Sequence, residues 1–234
     1  MTNLSVVLST YNEAANIRET INKLLLKKLV KEIIIIDDNS NDDTVSIINS
    51  IKNEKIFLHV RKNTKGFASS FIYGIMMSKG DYILRFDVDM HSEIELFLNS
   101  FEKNMENDCV IFSRYVDDGK DLRSAYRRVP SFILNRISQF MLSEKIKDYT
   151  SCVMFFKRDI LQDCFPNNTY YANFIIEFVY SLILKNKKVI EIGYVQNKNT
   201  ENNSKSAPSI ISFMKNGLFY LATILKCFIN RLFN

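Results

Sequence analysis

Residues 32–40 read Glu-Ile-Ile-Ile-Ile-Asp-Asp-Asn-Ser, EIIIIDDNS. An uninterrupted β-branched run lacks the apolar-polar alternation of a half-buried antiparallel strand. It suits a central parallel strand covered by helices on both faces. The run stops at two carboxylates, Asp37 and Asp38, and an amide, Asn39. Open parallel sheets bind ligands outside the carboxyl ends of their strands. The stretch therefore predicts a fold class and the edge on which chemistry should sit.

The flanking sequence follows the same plan. Residues 4–8 (LSVVL) form a short buried strand that runs into Ser9, Thr10, Tyr11, Asn12 and Glu13. Residues 16–29 carry Ile17, Ile21, Leu24 and Leu25 at helical spacing, with lysines opposite. A helix over 44–51, a strand over 56–60 and a helix over 66–79 lead to DYILRFDVDMHSE, residues 81–93. There Tyr82, Leu84 and Phe86 alternate with Ile83, Arg85 and Asp87. Continued alternation would put Asp87 and Asp89 on one strand face. Like charges held close make each other costlier to ionise. A hard divalent cation with oxygen ligands, Mg²⁺ or Mn²⁺, relieves that cost. A helix over 93–107 and a strand over 109–113 complete an alternation predicting an α/β three-layer sandwich with a mainly parallel sheet. Past it the pattern loosens into helix 131–142, strand 153–157, helix 173–185, strand 189–194, a polar and mobile stretch over 196–207, and an amphipathic helical tail over 208–234.

At 234 residues and 47% hydrophobic, the chain suffices for one large α/β domain with a sizeable core. A net charge of +5 fits an anionic small molecule or an acidic membrane surface. No basic run or motif argues for nucleic acid. Cys109, Cys152, Cys164 and Cys227 lack CxxC spacing, so free thiols in a reducing compartment are expected. The polar, then strand-like start predicts no signal peptide. No stretch reaches the roughly 20 uninterrupted apolar residues of a membrane span. No GxGxxG follows the first strand, which argues against a dinucleotide-dependent oxidoreductase.

The segments SVVLSTYNEAANI, EIIIIDDNSNDDT, KGFASSFIYGIMMSKGDYILRFDVD and SRY occur in that order. They continue in DYTSCVMFFKRDIL, YYANFIIEFVYSLILKNKKVIEIGY and NNSKS. Together they resemble inverting glycosyltransferases of the GT-A fold, family 2, and most closely the polyprenyl (dolichyl) phosphate mannosyltransferase branch. The resemblance covers nearly the whole chain. It implies a Rossmann-like sandwich over 1–207, with a nucleotide-sugar half (1–115) and an acceptor half (116–207), then a helix over 208–234 at a membrane interface or packed on protein. It implies transfer of a sugar, with inversion, from a GDP- or UDP-sugar to a polyprenyl phosphate, dependent on Mg²⁺ or Mn²⁺. The enzyme would then sit in the cytoplasm, peripheral at the cytoplasmic face of the membrane, with a membrane protein or a second copy as a further partner.

Residue by residue, the resemblance implies that Thr10, Tyr11, Glu13, Asp38, Lys65, Gly66 and Asp87 bind the nucleotide sugar. Asp87 and Asp89 would hold the metal. Arg114, Arg127, Arg128, Ser204 and Lys205 would meet phosphates or the acceptor. Asp89, Glu177 and Arg114 form the implied catalytic group. Plainer readings stand beside these: Gly66 as a turn residue, Glu177 as an exposed helix position, each cation as a solvated charge. His91 is a possible neighbour of the metal or a phosphate. The chain departs from the pattern at Asn39, where the family has glycine; asparagine tolerates the left-handed conformation. It departs again at Asn199, where the branch has arginine, and at Asn202 and Asn203, where it has Gly-Glu. A sugar hydroxyl needs a general base, whereas a lipid phosphate is already anionic. The region matching the base motif of hydroxyl-acceptor relatives offers only Glu177, which favours a phosphate acceptor. The rivals are a same-fold enzyme acting on a saccharide hydroxyl in capsule or lipopolysaccharide synthesis, and a catalytically silent subunit that binds sugar nucleotide or lipid carrier.

Overall fold

The computed structural model describes residues 3–165, 173–198 and 210–233. In chain order its elements are β1 (Leu4–Thr10), α1 (Ile17–Leu25), β2 (Val30–Asp37), α2 (Thr44–Ser50), β3 (Ile56–Val60), α3 (Phe67–Met77), β4 (Tyr82–Arg85), α4 (Ile94–Asn104) and β5 (Cys109–Ser113). Then follow β6 (Lys120–Asp121), α5 (Ala125–Met141), β7 (Met154–Lys157), α6 (Leu161–Cys164), α7 (Phe174–Leu184), β8 (Val189–Gly193), β9 (Val195–Gln196) and α8 (Ile210–Phe233). The chain forms two compact units, 1–107 with 153–159, and 108–152 with 160–234.

In the first unit the strand order is β3-β2-β1-β4-β7. All neighbours are parallel except β4 and β7. Ile33 to Ile36 lie opposite Val6 to Ser9 and are fully buried, as their unbroken apolar run requires. Each such side chain contributes about 1.5–3 kcal/mol on burial. Helix α3 lies against β1 and β2, and Gly74 permits it. A Cβ there would stand 2.4 Å from Val7 Cγ1 and 3.3 Å from Ile36 Cγ1. Ile17, Ile21 and Leu24 form the buried face of α1, as their spacing predicts. Because β1 to β4 are parallel, their carboxyl ends share one edge.

In the second unit β5 pairs parallel with β8, and β6 with β9. The tail helix α8 packs on α5 and α7, burying Thr223, Ile224 and Cys227. Asn173 Nδ2 donates to Thr223 Oγ1 at 2.7 Å. Helix α5 differs from expectation. The sequence predicts a start at Ser131, after Pro130, yet the helix starts at Ala125, and the Ser124 carbonyl accepts the N–H groups of Arg127 and Arg128. Proline removes one hydrogen bond and crowds one carbonyl, and Pro130 stands in the second turn of the helix, after Ala125 to Val129. Gln196, read as part of a mobile stretch, pairs in β9. Cys109, Cys152, Cys164 and Cys227 form no disulfide with one another. Among the described residues, no helix is long and apolar enough to cross a membrane.

Candidate active site

The loops after β1 and β2 are laced together on the first unit's carboxyl edge. Buried Asp37 accepts from Thr10 Oγ1 (2.7 Å), Ser40 N–H (2.8 Å) and Ser40 Oγ (2.6 Å). The Asp38 N–H donates to the Thr10 carbonyl at 2.9 Å. Asn39 has φ +60°, so it takes the left-handed turn that glycine serves in the family. Asn12, at φ +56°, donates its N–H to Ser40 Oγ and accepts from the Asn41 N–H. The Glu13 N–H donates to Thr44 Oγ1, and its carboxylate accepts from Asn16 Nδ2.

This lacing brings the expected nucleotide residues together. Lys65 Nζ lies 4.7 Å from the centre of the Tyr11 ring, a cation–π contact. The Gly66 N–H donates to Asp38 Oδ2 at 2.7 Å. Gly66 has φ +135°, a conformation that side-chain-bearing residues rarely adopt. The sequence reading missed Arg61. Its Nε donates to Asp38 Oδ1 at 2.8 Å and its Nη2 reaches the same oxygen. A single arginine just past a strand carries no pattern to mark it.

Asp87 and Asp89 do not share a strand face, which corrects the alternation argument. Strand β4 ends at Arg85. Asp87 is extended, and residues 88–93 form a 3₁₀ turn with Asp89 in its first turn. Tertiary contacts decide this: Val88 and Met90 are buried, the Met90 N–H donates to the Asp87 carbonyl, and Thr20 Oγ1 donates to the Val88 carbonyl at 2.8 Å. The buried Arg85 guanidinium stacks 4.3 Å from the Phe67 ring centre and pairs with Asp87, whose side chain stays 54% exposed. Among the described residues, no group of three or more His, Cys, Asp or Glu is placed to hold a metal. Two carboxylates on an open turn instead fit a hard cation that draws its other ligands from phosphate oxygens and water. His91 is engaged by α1: Nδ1 lies 3.2 Å from Glu19 Oε1, and its carbonyl accepts from Lys23 Nζ.

In the second unit, Arg114 is buried and most of its donors are committed. Nε and Nη2 donate to the two Asp148 oxygens at 2.8 and 2.7 Å, Nη2 also to Thr150 Oγ1 at 2.6 Å, and Nη1 to Gln196 Oε1 at 3.3 Å. Burial opposes the charge, but the Asp148 carboxylate outweighs it and holds the guanidinium well above the usual arginine range. These contacts make Arg114 an internal brace, where the resemblance implied a phosphate ligand. Arg127 is buried, 5.5 Å from the Phe213 ring centre, whereas Arg128 is exposed on α5. Glu177 on α7 accepts from Lys226 Nζ of α8 at 2.7 Å. Ser204 and Lys205, with Asn199, Asn202 and Asn203, lie outside the described residues.

Residues 5–165 match the family model described as "Glycosyl transferase family 2". Over 89 residues the chain is 39% identical to the poly-beta-1,6-N-acetyl-D-glucosamine synthase of Staphylococcus aureus (strain COL), covering 37% of this chain and 21% of that protein. The protein of strain N315 matches equally. The chain thus spans about a fifth of the length of these relatives. Among solved structures, it is similar to glucosyl-3-phosphoglycerate synthase from Mycobacterium tuberculosis in complex with UDP. The TM-score is 0.73 at 15% identity, over 97% of this chain and 80% of that one. The same enzyme with Mn²⁺, UDP and glucosyl-3-phosphoglycerate gives 0.70 at 15% identity, with the same coverage. At this identity the likeness is one of fold, the GT-A α/β fold.

Proposed function

The chain belongs to glycosyl transferase family 2, and from that premise we propose that it transfers a sugar, with inversion, from a GDP- or UDP-sugar to a polyprenyl phosphate at a membrane surface, with Mg²⁺ or Mn²⁺. Thr10, Tyr11, Glu13, Asp38, Lys65 and Gly66 would bind and orient the nucleoside. Asp87 and Asp89 would hold the cation, which when bound neutralises the departing diphosphate. Arg85 fixes the Asp87 carboxylate for that task. A lipid phosphate needs positioning and charge matching but no strong base. Glu177 is engaged by Lys226.

The observation that carries the acceptor is the character of α5 and α8. Neither helix contains an aspartate or glutamate, and together they carry Arg127, Arg128, Arg136, Lys215, Lys226 and Arg231. Val129, Ile133 and Phe140 are exposed on α5. On α8, the exposed Ile211, Met214, Leu218, Leu225, Ile229 and Leu232 recur at helical steps, on a different face from the buried Ile224 and Cys227. Apolar stripes with cations and no acids suit the headgroup boundary of an anionic bilayer. This supports a peripheral enzyme at the cytoplasmic face of the membrane, working on a lipid-borne acceptor.

A second reading, with a saccharide hydroxyl as acceptor, is favoured by the 39% identity to a polysaccharide synthase. One screen separates them. The full chain with Mn²⁺ is offered labelled nucleotide sugars, a short polyprenyl phosphate and oligosaccharides, with Asp89→Ala as control. Label in the lipid fraction, lost in the variant, is the expected result. Label only in saccharide moves the acceptor to the second reading. Nucleotide-sugar binding without any turnover indicates a silent binding subunit.

A further inference from the structure

Arg61 ties three segments of the ligand edge together. Its side chain is 11% exposed and that of Asp38 10%. Nε and Nη2 both donate to Asp38 Oδ1, while Asp38 Oδ2 accepts the Gly66 N–H. Nη1 donates to Ser69 Oγ at 3.0 Å and Nη2 to the Gly66 carbonyl at 3.1 Å. The Arg61 N–H itself donates to the Asp37 carbonyl at 2.7 Å. The ends of β2 and β3 and the start of α3 are thereby held in one arrangement.

A carboxylate offers about four lone-pair sites, two on each oxygen. Arg61 fills both on Oδ1, and Gly66 fills one on Oδ2. One acceptor position remains, on Oδ2. We propose that Arg61 is a positioning residue that sets base selectivity, by leaving Asp38 a single acceptor for the nucleoside. That acceptor matches uracil, which presents one N–H between two carbonyls. It mismatches guanine, whose adjacent N1–H and N2–H₂ donors require both carboxylate oxygens. Guanine would keep one donor unpaired against a largely buried carboxylate, a mismatch worth on the order of tenfold to a hundredfold in affinity. Lysine at this position keeps the charge but presents no planar fork, so it would release an acceptor on Oδ1. The inference rests on reading this edge as the donor site and assigns that donor to the uridine class.

The test is calorimetric binding of UDP and GDP to the full chain with Mn²⁺, for wild type and Arg61→Lys, with KM and kcat for the active nucleotide sugar. Wild type should bind UDP at least about tenfold more tightly than GDP. Arg61→Lys should compress that ratio below about threefold, raising KM about tenfold while kcat changes by less than about threefold. A merely structural role would weaken both nucleotides equally and leave the ratio intact, which overturns the proposal. Equal binding or a GDP preference in wild type also overturns it, and that arm needs no variant to fold. A folded wild-type chain that binds neither nucleotide removes the donor-site reading itself, and this role with it. UDP binding with an unmoved ratio in Arg61→Lys removes only the role of Arg61.

Discussion

Arg114 and Asp148 meet as a two-pronged ion pair inside the second unit, with side chains 4% and 0% exposed. Removing one partner strands a buried charge, which costs about 3–5 kcal/mol. Arg114→Ala should therefore lower the urea midpoint by that equivalent, with any loss of turnover following the loss of folded protein. A variant with a wild-type midpoint and no activity would instead return Arg114 to the chemistry.

Glu191 predicts a pH dependence in the same unit. Its carboxylate accepts the N–H groups of Lys147 and Asp148 at 2.6 and 2.9 Å, yet burial dominates and raises its pKa above the ordinary 4.5. The folded state thus holds this proton more tightly than the unfolded state. Its contribution to stability is fully present below pH 4.5 and is lost as pH rises through the raised folded value. Urea midpoints of Glu191→Gln should show a shallower fall over that window than wild type. Parallel curves would mean that folding leaves the carboxylate's hold on its proton unchanged. Asp121 has the opposite sign: despite its burial, the Arg123 guanidinium holds it below 3.8, so its contribution disappears as pH falls.

The two acids after β4 should both be needed for turnover. Asp89→Asn should reduce metal-dependent turnover by about 10²–10³-fold. Asp87→Asn should do the same and also cost about 1–3 kcal/mol, because it removes the carboxylate opposite the buried Arg85 guanidinium. Chelation by EDTA should abolish wild-type turnover and added Mn²⁺ restore it. Activity that survives chelation would remove the cation from the reaction.

These contrasts mark what was legible in the sequence. Buried parallel strands leave unbroken apolar runs, so Ile33 to Ile36 announced β2 and its neighbours. Polar residues at strand ends marked the edge that holds Tyr11 and Asp38, Lys65 entered only through the family resemblance, and the chemistry of asparagine anticipated the positive φ of Asn39. The turn after Arg85 was not legible, since Tyr82 to Asp87 continue a strand period until Thr20 and the burial of Val88 and Met90 bend the chain. Arg114 and Asp148 lie 34 positions apart, and Arg61 and Asp38 lie 23 apart. Local periodicity carries no information about such pairs. The same limit applies to Glu177, whose partner is 49 positions away.

Glu177 and Lys226 should therefore behave as a pair. Lys226 is more than half exposed, so the bond is screened and worth about 0–1 kcal/mol. Glu177→Gln and Lys226→Gln should each shift the melting temperature by no more than a few degrees, with a double-mutant coupling below about 1 kcal/mol. With a phosphate acceptor, kcat should stay within about threefold in both. A drop of about a hundredfold in Glu177→Gln alone would make this carboxylate a general base and move the acceptor to a hydroxyl.

The outward stripe of α8 offers the last test. Leu218 and Ile229 are exposed and lie off the face that packs on α5 and α7, so a charge at either position costs the fold little. In a membrane interface the same charge must enter the acyl boundary. Leu218→Glu and Ile229→Glu should keep the wild-type melting temperature within about two degrees and lose at least about tenfold in cosedimentation with phosphatidylglycerol vesicles. Wild-type binding should weaken in neutral vesicles and at high salt, because Lys215, Arg128 and Arg136 act through a screened field. A chain that ignores vesicles but sediments as a dimer, with Leu218→Glu a monomer, would assign the stripe to a second copy instead. The lipid-borne acceptor would then lose its strongest support.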